Sequence, residues 1–180
     1  RNMPDDLKFL AVAESALRPH AGSSKGAVGF WQLMPETARR YGLTVNTRID
    51  ERRDLTRSTP AALDYLKALY GQFKSWTLAI AAYNMGEQGL VAEILEQNTR
   101  NYYQLYLPLE TQRFIFRVLS VKLVLEDPQR YGFDISDGQR YRPLASEAAD
   151  IDILQETPIR LVAQSANTTF KRIKDLNPHI

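Results

Sequence analysis

The chain has 180 residues, a length that fits one domain of ordinary size with room for a small appendage. Hydrophobic residues make up 44% of the chain and charged residues 24%, which is enough for a buried core under a normal polar surface. The formal net charge is only +2, so bulk electrostatics give no reason to expect a nucleic-acid partner. The chain contains no cysteine, which excludes disulfides and thiolate metal sites.

Signals for anchoring and for metal binding are weak along the whole sequence. No apolar run approaches the roughly 20 residues that span a bilayer, and no signal peptide is visible. Because the chain begins at Arg1 without a methionine, we expect a fragment of a longer protein, with any membrane anchor in a segment outside it. The two histidines, His20 and His179, cannot form a helical metal site, so we expect no metal and no other cofactor.

Helical signals dominate the chain as far as about residue 127. Helix starts are marked by proline and acidic residues, helix ends by glycine, and helix faces by apolar residues three and four positions apart. The predicted helices span residues 4–17, 35–42, 58–73, 76–85, 87–97 and 109–126. The glycine- and serine-rich stretch 22–29 and the polar stretch 44–57 are predicted to be loops.

The texture of the sequence changes after Tyr131. Residues 134–150 are polar and irregular, residues 151–154 fit a short strand, and residues 158–166 and 168–176 fit two short helices. We therefore predict a helical domain over 1–133, a linker over 134–150 and a small separate segment over 151–180.

One acidic residue lies inside an apolar helix. Glu14 is the only charged residue between Lys8 and Arg18. By helical spacing it shares one face with Leu7, Leu10, Ala11 and Leu17. Burial raises the pKa of a carboxyl, because it disfavours the charged form. General acid catalysis needs a carboxyl that stays protonated near neutral pH. The alternative is a structural role, in which Glu14 bonds a helix end or pairs with an arginine.

The stretch 22–26 matches G-x-S-x-G, the pattern of a hydrolase nucleophile elbow. That motif needs a strand before it and a helix after it, whereas a predicted helix precedes it here. The pattern therefore gives little support to an esterase, and glycines in this loop are better explained by a tight turn or by close approach to a ligand.

Three blocks of sequence together resemble a known family. They are the stretch 13–43, which begins A-E-S-A-L-R-P-H and continues through W-Q-L-M-P, the stretch 79–86, A-I-A-A-Y-N-M-G, and the stretch 107–114, L-P-L-E-T-Q-R-F. In these blocks the chain resembles the family 1 lytic transglycosylases, which are similar to goose-type lysozyme. The resemblance covers about the first 130 residues.

The resemblance implies roles for seven residues. Glu14 matches the family's catalytic acid, and the substrate-binding positions match Ser23, Gln32, Met34, Tyr83, Asn84 and Glu110. The chain departs from the family's E-T-R-x-Y block, because Gln112 stands in place of the arginine and Phe114 in place of the tyrosine. Loss of the tyrosine hydroxyl is expected to tune the activity rather than abolish it.

The fold that the resemblance implies is mainly α, a lysozyme-like helical catalytic domain of the SLT type followed by a small C-terminal appendage. The appendage resembles part of a LysM module, with two helices and a short strand. The implied activity is cleavage of the bond between N-acetylmuramic acid and N-acetylglucosamine in peptidoglycan, with formation of a 1,6-anhydro product. Two alternatives stay open, a hydrolytic muramidase on the same fold and a peptidoglycan-binding protein without activity.

The same resemblance implies the protein's surroundings. Glycan strands of peptidoglycan are the expected partner, and the expected location is the periplasm or cell envelope, with membrane association through a segment absent from this chain. A monomer is expected.

Overall fold

The structure is a computed structural model, and it describes residues 3–142 and 151–180. These residues form eight α-helices, in agreement with the predicted, mainly helical fold. The helices are α1 (Lys8–Ser15), α2 (Pro35–Arg40), α3 (Leu55–Phe73), α4 (Trp76–Met85), α5 (Glu87–Glu96), α6 (Leu109–Glu126), α7 (Ile159–Ser165) and α8 (Phe170–Leu176). In the described ranges, none of the helices is long and apolar enough to cross a membrane.

Helix α4 lies at the centre of the core, where it contacts α3, α5 and α6. Its residues Leu78, Ala79, Ala81 and Ala82 have almost no exposed surface. Alanine side chains let neighbouring helices approach closely, and this is how a short helix can be covered on several sides. Helix α1 packs against α6, so two helices that are far apart in the sequence lie side by side.

The predicted bounds of α4 and α6 agree with the structure, but α1 is shorter than predicted. It ends at Ser15, because Ala16 and Leu17 adopt left-handed backbone conformations with φ of 50° and 55°. The prediction that this helix continues to residue 17 is therefore wrong. The helix therefore ends one residue after Glu14.

Helix α3 begins three residues before the predicted start at Ser58. Its N-cap is Asp54, whose carboxylate accepts hydrogen bonds from the backbone N–H groups of Thr56 and Arg57. Pro60 lies inside the helix rather than at its start. The predicted loop over residues 44–57 is thus shorter, and it contains a turn of 3₁₀ helix over Glu51–Arg53.

The C-terminal segment consists of α7 and α8, which pack against each other. The strand predicted over residues 151–154 is wrong, because this stretch has no regular structure and no neighbouring strand to pair with among the described residues. The segment reaches the rest of the protein through His179, whose carbonyl oxygen accepts a hydrogen bond of 2.8 Å from the backbone N–H of Asp50. Within the predicted linker, residues 143–150 lie outside the described residues.

Candidate active site

A hydrogen bond joins the end of α1 to the loop that follows it. Ser15 is buried, and its hydroxyl donates a 2.8 Å hydrogen bond to the carbonyl oxygen of Phe30. The neighbouring Glu14, in the last turn of α1, lies on the wall of a cavity of about 560 Å³. The other lining residues all come from the chain that follows α1: Arg18, Pro19, His20, Ala21, Gly22 and Gln32.

The Glu14 carboxyl is largely buried and faces no partner in the described parts of the chain. Across residues 3–142 and 151–180 it forms neither a hydrogen bond nor an ion pair. Burial raises the pKa of Glu14 from 4.5 to about 7. No arginine in these residues therefore forms the close ion pair with Glu14 that a structural role requires.

Helices α6 and α4 bring further polar groups close to Glu14. The positive charge of Arg117 lowers the pKa of Glu14, and the carboxylate of Glu110 raises it, both by less than burial does. Tyr83 is partly buried beside this acid, and burial, followed by the charge of Glu14, raises the pKa of its phenol well above the usual value. The phenol is thus a fixed hydrogen-bond donor, and it donates to the carbonyl oxygen of Trp31 at 2.6 Å.

A second cavity, of about 420 Å³, lies next to the first. Five of the six predicted substrate-binding residues line it, namely Gln32, Met34, Tyr83, Asn84 and Glu110. The remaining lining residues are Lys25, Leu33, Thr37, Tyr65, Met85, Gly86, Pro108 and Thr111. Gln32 lines both cavities, so the two form neighbouring parts of one cleft with Glu14 in one of them.

The side chain of Gln32 lines the cleft, and its amide also forms hydrogen bonds within the loop. Its Nε2 donates to the carbonyl oxygens of Ala21 and Gly29, at 3.0 and 2.9 Å. Gln32 also has a left-handed backbone, with φ of 47°, which is costly for a residue other than glycine. Only the carbonyl oxygen of this side chain is left to meet a ligand.

Asn84 is held in place from α6. Thr111 is fully buried and donates from its hydroxyl to Oδ1 of Asn84 at 2.9 Å. This contact orients the amide so that its NH₂ group is the end free to bind a ligand. Sequence reasoning missed Thr111 and Arg117, since nothing in their local pattern shows that α6 packs beside α1.

Ser23 is the one predicted site residue that lines neither cavity. It is exposed, and its hydroxyl oxygen accepts a hydrogen bond from the backbone N–H of Ala27 at 3.1 Å. In this structure Ser23 therefore closes a turn of the loop.

The two residues that depart from the family block, Gln112 and Phe114, both lie outside the two cavities. Phe114 is completely buried in the core, where a hydroxyl would need a hydrogen-bond partner. Gln112 donates from its amide to the carbonyl oxygen of Leu107. Neither side chain lines the two cavities described above.

The residues described contain no group of three histidine, cysteine, aspartate or glutamate side chains arranged to hold a metal ion. Among these residues the cleft contains two carboxyls, Glu14 and Glu110, with amides, a phenol and an arginine close to them.

Comparison with known proteins agrees with the three motif blocks. The model of the transglycosylase SLT domain matches residues 1–106, which is more than half of the chain. The chain belongs to the SLT transglycosylase domain family. Membrane-bound lytic murein transglycosylase D of Escherichia coli strain K12, a relative of this SLT domain, is 34% identical over 98% of this chain. This chain spans only 39% of that protein's length.

Solved structures show the same SLT fold. The 70 kDa soluble lytic transglycosylase Slt70 of Escherichia coli superposes on 77% of this chain with a TM-score of 0.57 and 21% identity, and the match covers 24% of that chain. An inactive mutant of lytic transglycosylase Slt from Pseudomonas aeruginosa covers 78% of this chain, and 24% of its own, with a TM-score of 0.55 and 24% identity. At these identities the two matches speak for the fold alone.

Proposed function

We propose that this protein is a peptidoglycan lytic transglycosylase in which Glu14 is the single catalytic acid and base. The observation that carries the proposal is the Glu14 carboxyl, buried at a cleft without a partner in the described residues and with a pKa raised to about 7. Membership of the SLT family supports the choice of reaction. The names of its relatives support murein as the substrate.

The first step is proton transfer to the leaving group. Protonated Glu14 donates to the oxygen between N-acetylmuramic acid and N-acetylglucosamine, and the bond from that oxygen to C1 of the muramic acid breaks. The 2-acetamido carbonyl of the same sugar stabilises the cationic C1, a role that a second carboxylate fills in most glycosidases. Glu14 is left as a carboxylate.

In the second step Glu14 acts as a base. It takes the proton from the C6 hydroxyl of the muramic acid, and this oxygen attacks C1 to close the 1,6-anhydro ring. The acid form of Glu14 is regenerated, and no water is consumed. Because the reaction starts from the protonated acid, we expect the rate to fall as the pH rises above about 7.

The cleft residues hold the sugars in a reactive position. We assign this role to Gln32, Met34, Tyr83, Asn84 and Glu110, which line the cavity beside Glu14. Ser23 joins them in the proposal only if the loop turns its hydroxyl inwards when glycan binds, since it is hydrogen-bonded to Ala27 here.

The decisive test is digestion of purified peptidoglycan by the wild type, by Glu14→Gln and by Glu36→Gln. Glu36 is an exposed glutamate on α2, so its variant makes the same chemical change outside the cleft. We expect wild type and Glu36→Gln to release products that end in 1,6-anhydro-muramic acid. Loss of the acid in Glu14→Gln should slow release by at least about a thousandfold. Mass spectrometry of the soluble fraction measures both.

Two other results point to the rival functions. Products one water heavier, with free reducing ends, identify a hydrolytic muramidase, for which the Glu110 carboxylate is the second acid that interacts with Glu14. Binding to insoluble peptidoglycan without release of any product, by all three proteins, identifies a binding protein.

The remaining features of the proposal concern the whole protein. We propose one catalytic domain over residues 1–133, a linker over 134–150 and a LysM-like segment over 151–180. We further propose a monomer that acts on glycan strands in the periplasm or cell envelope, with any membrane anchor outside this chain. The name of the Escherichia coli relative supports an envelope location.

A further inference from the structure

Arg52 is buried in a stretch of sequence that is otherwise polar. Only 5% of its surface is exposed, although the neighbouring Glu51 and Arg53 are half-buried. Its guanidinium donates two hydrogen bonds of 2.8 Å to the carboxylate of Asp50, from Nε to Oδ1 and from Nη2 to Oδ2. Burial acts to raise the pKa of Asp50, but Arg52 outweighs it and holds that pKa below its usual value.

The remaining guanidinium nitrogen reaches across to the loop beside the cleft. We define the site loop as residues 22–33, between α1 and α2. Nη1 of Arg52 donates to the carbonyl oxygens of Gly26 and Leu33, at 2.9 and 3.0 Å. These two carbonyls lie in the middle and at the end of the site loop, so one side chain joins them. Lysine cannot copy this arrangement, because it lacks the planar fork of donors.

A third contact brings the backbone around Arg52 against the same loop. A Cβ atom on Gly29 would lie 1.9 Å from the carbonyl oxygen of Arg52, so only glycine fits there. Arg53 extends the connection, because its Nη1 lies 3.1 Å from Nδ1 of His20, which lines the Glu14 cavity. Residues 50–53 therefore contact the site loop and the neighbouring His20 through side chains and backbone.

The site loop supplies walls to both cavities. Gly22 and Gln32 line the cavity that holds Glu14, while Lys25, Gln32 and Leu33 line its neighbour. Gly22 and Gln32 of this loop thus face the same cavity as Glu14. If the loop moved outwards, more of the carboxyl would be exposed to water, and both cavities would lose part of their walls.

We propose that the Asp50–Arg52 ion pair positions the site loop for catalysis, holding it at the wall of the Glu14 cavity through the Gly26 and Leu33 carbonyl oxygens. The inference rests on the proposed function for its effect on rate. Asp50 and Arg52 are positioning residues, since they line neither cavity and act through the loop. Asp50 keeps the guanidinium in place, and the guanidinium keeps the loop in place.

The first experiment compares Arg52→Lys and Asp50→Asn with Arg57→Lys in rate assays on a soluble glycan. Arg57 is an exposed arginine a few residues away whose guanidinium lies 3.9 Å from the Glu51 carboxylate, so its variant is a matched control. We expect Arg52→Lys and Asp50→Asn to lower kcat at least about tenfold, and Arg57→Lys to keep the wild-type rate.

The dependence of kcat on pH separates positioning from simple loss of stability. The charged and titratable groups near Glu14 are unchanged in these variants: Arg117 and Glu110 from α6, Tyr83 from α4, and Arg18 and His20 from the same cavity. A loosened loop hydrates Glu14, so the fall in rate near pH 7 should move to lower pH in Arg52→Lys. A variant that is merely less stable keeps the wild-type pH profile. A full kcat with an unshifted profile overturns the proposal.

Amide hydrogen exchange tests the loop itself and does not depend on activity. We expect faster exchange over residues 22–33 in Arg52→Lys, with α4 unchanged and Arg57→Lys like the wild type. Uniform acceleration over the whole protein, or none in the loop, overturns the proposal. If the wild type releases no glycan product, the proposed function fails, and the exchange result still decides whether Arg52 holds the loop.

Discussion

Glu14 differs from the other acids of this protein in what surrounds its carboxyl. Asp50 and Asp54 are also partly buried, yet hydrogen bonds and nearby positive charge hold their pKa values below the usual value. Glu14 receives no such bond in the described residues, and burial raises its pKa to about 7. The carboxyls of Asp50 and Asp54 thus stay ionised, whereas the carboxyl of Glu14 still holds a proton close to neutral pH.

The raised pKa of Glu14 predicts how stability depends on pH. The folded chain keeps a proton that the unfolded chain, with a pKa near 4.5, has already released. Stability is therefore highest below about 4.5 and is lost as the pH rises through about 7. Between about pH 5 and about pH 8 we expect a loss of about 2 kcal/mol that Glu14→Gln does not show. Urea unfolding at the two values measures it.

The exposed Glu36 again supplies the control. Glu36→Gln should lose stability with pH as the wild type does. The same pH dependence in Glu14→Gln would mean that other groups cause it and that Glu14 is ionised at little cost.

At the scale of elements, two glycines of the site loop are required for different reasons, one for its backbone conformation alone and one also for a tertiary contact. Gly26 and Gly29 both have positive φ, at 93° and 86°, a conformation that other residues adopt at a cost. Open space surrounds Gly26, whereas the backbone of Arg52 closes over Gly29. Sequence alone does not distinguish the two glycines.

Substitution of each glycine by alanine separates these two effects. Gly26→Ala should cost about 1 kcal/mol, because only its backbone conformation is strained. Gly29→Ala should cost at least about 3 kcal/mol, since its Cβ also displaces the backbone of Arg52. Thermal unfolding of the two variants gives the comparison, and equal losses would show that the approach of Arg52 is loose.

At the scale of the whole molecule, the C-terminal segment returns to the stretch that supports the cleft. Its His179 bonds to the backbone of Asp50, and its imidazole Nδ1 lies 3.4 Å from Oδ2 of Asp54. That nitrogen is buried and has no hydrogen-bond partner among the described residues, so its contact with Asp54 is the polar contact that the ring makes there. A second contact, between Arg48 and Glu156 at 3.3 Å, is exposed on both sides.

These two contacts should differ in their effect on docking of the segment. We expect His179→Ala to speed amide exchange in α7 and α8 about fivefold, with α3 to α6 unchanged, because a partly buried contact is lost. Glu156→Gln should change nothing measurable, since exposed ion pairs contribute little. Equal protection of α7 and α8 in all three proteins would mean that the backbone bond to Asp50 holds the segment alone.

Local sequence patterns determined much of this protein. The bounds of α4 and α6 follow from glycine, proline and apolar spacing, signals that act within a few residues and that no distant contact overrides. The position of one acid in an apolar helix is enough to indicate Glu14 as the candidate group. The motif blocks identified the family, because they preserve residue types at fixed spacing.

Tertiary structure decided the rest. Asp54 and Ser58 are both good helix caps, and only the packed structure selects Asp54. An arginine in a polar stretch is expected to be exposed, yet Arg52 is buried because carbonyl groups 26 and 19 residues away surround it. The partnerless state of the Glu14 carboxyl among the described residues is likewise a property of the whole fold. Burial and hydrogen bonding between distant residues leave no trace in local periodicity, so these features appear only once the chain is folded.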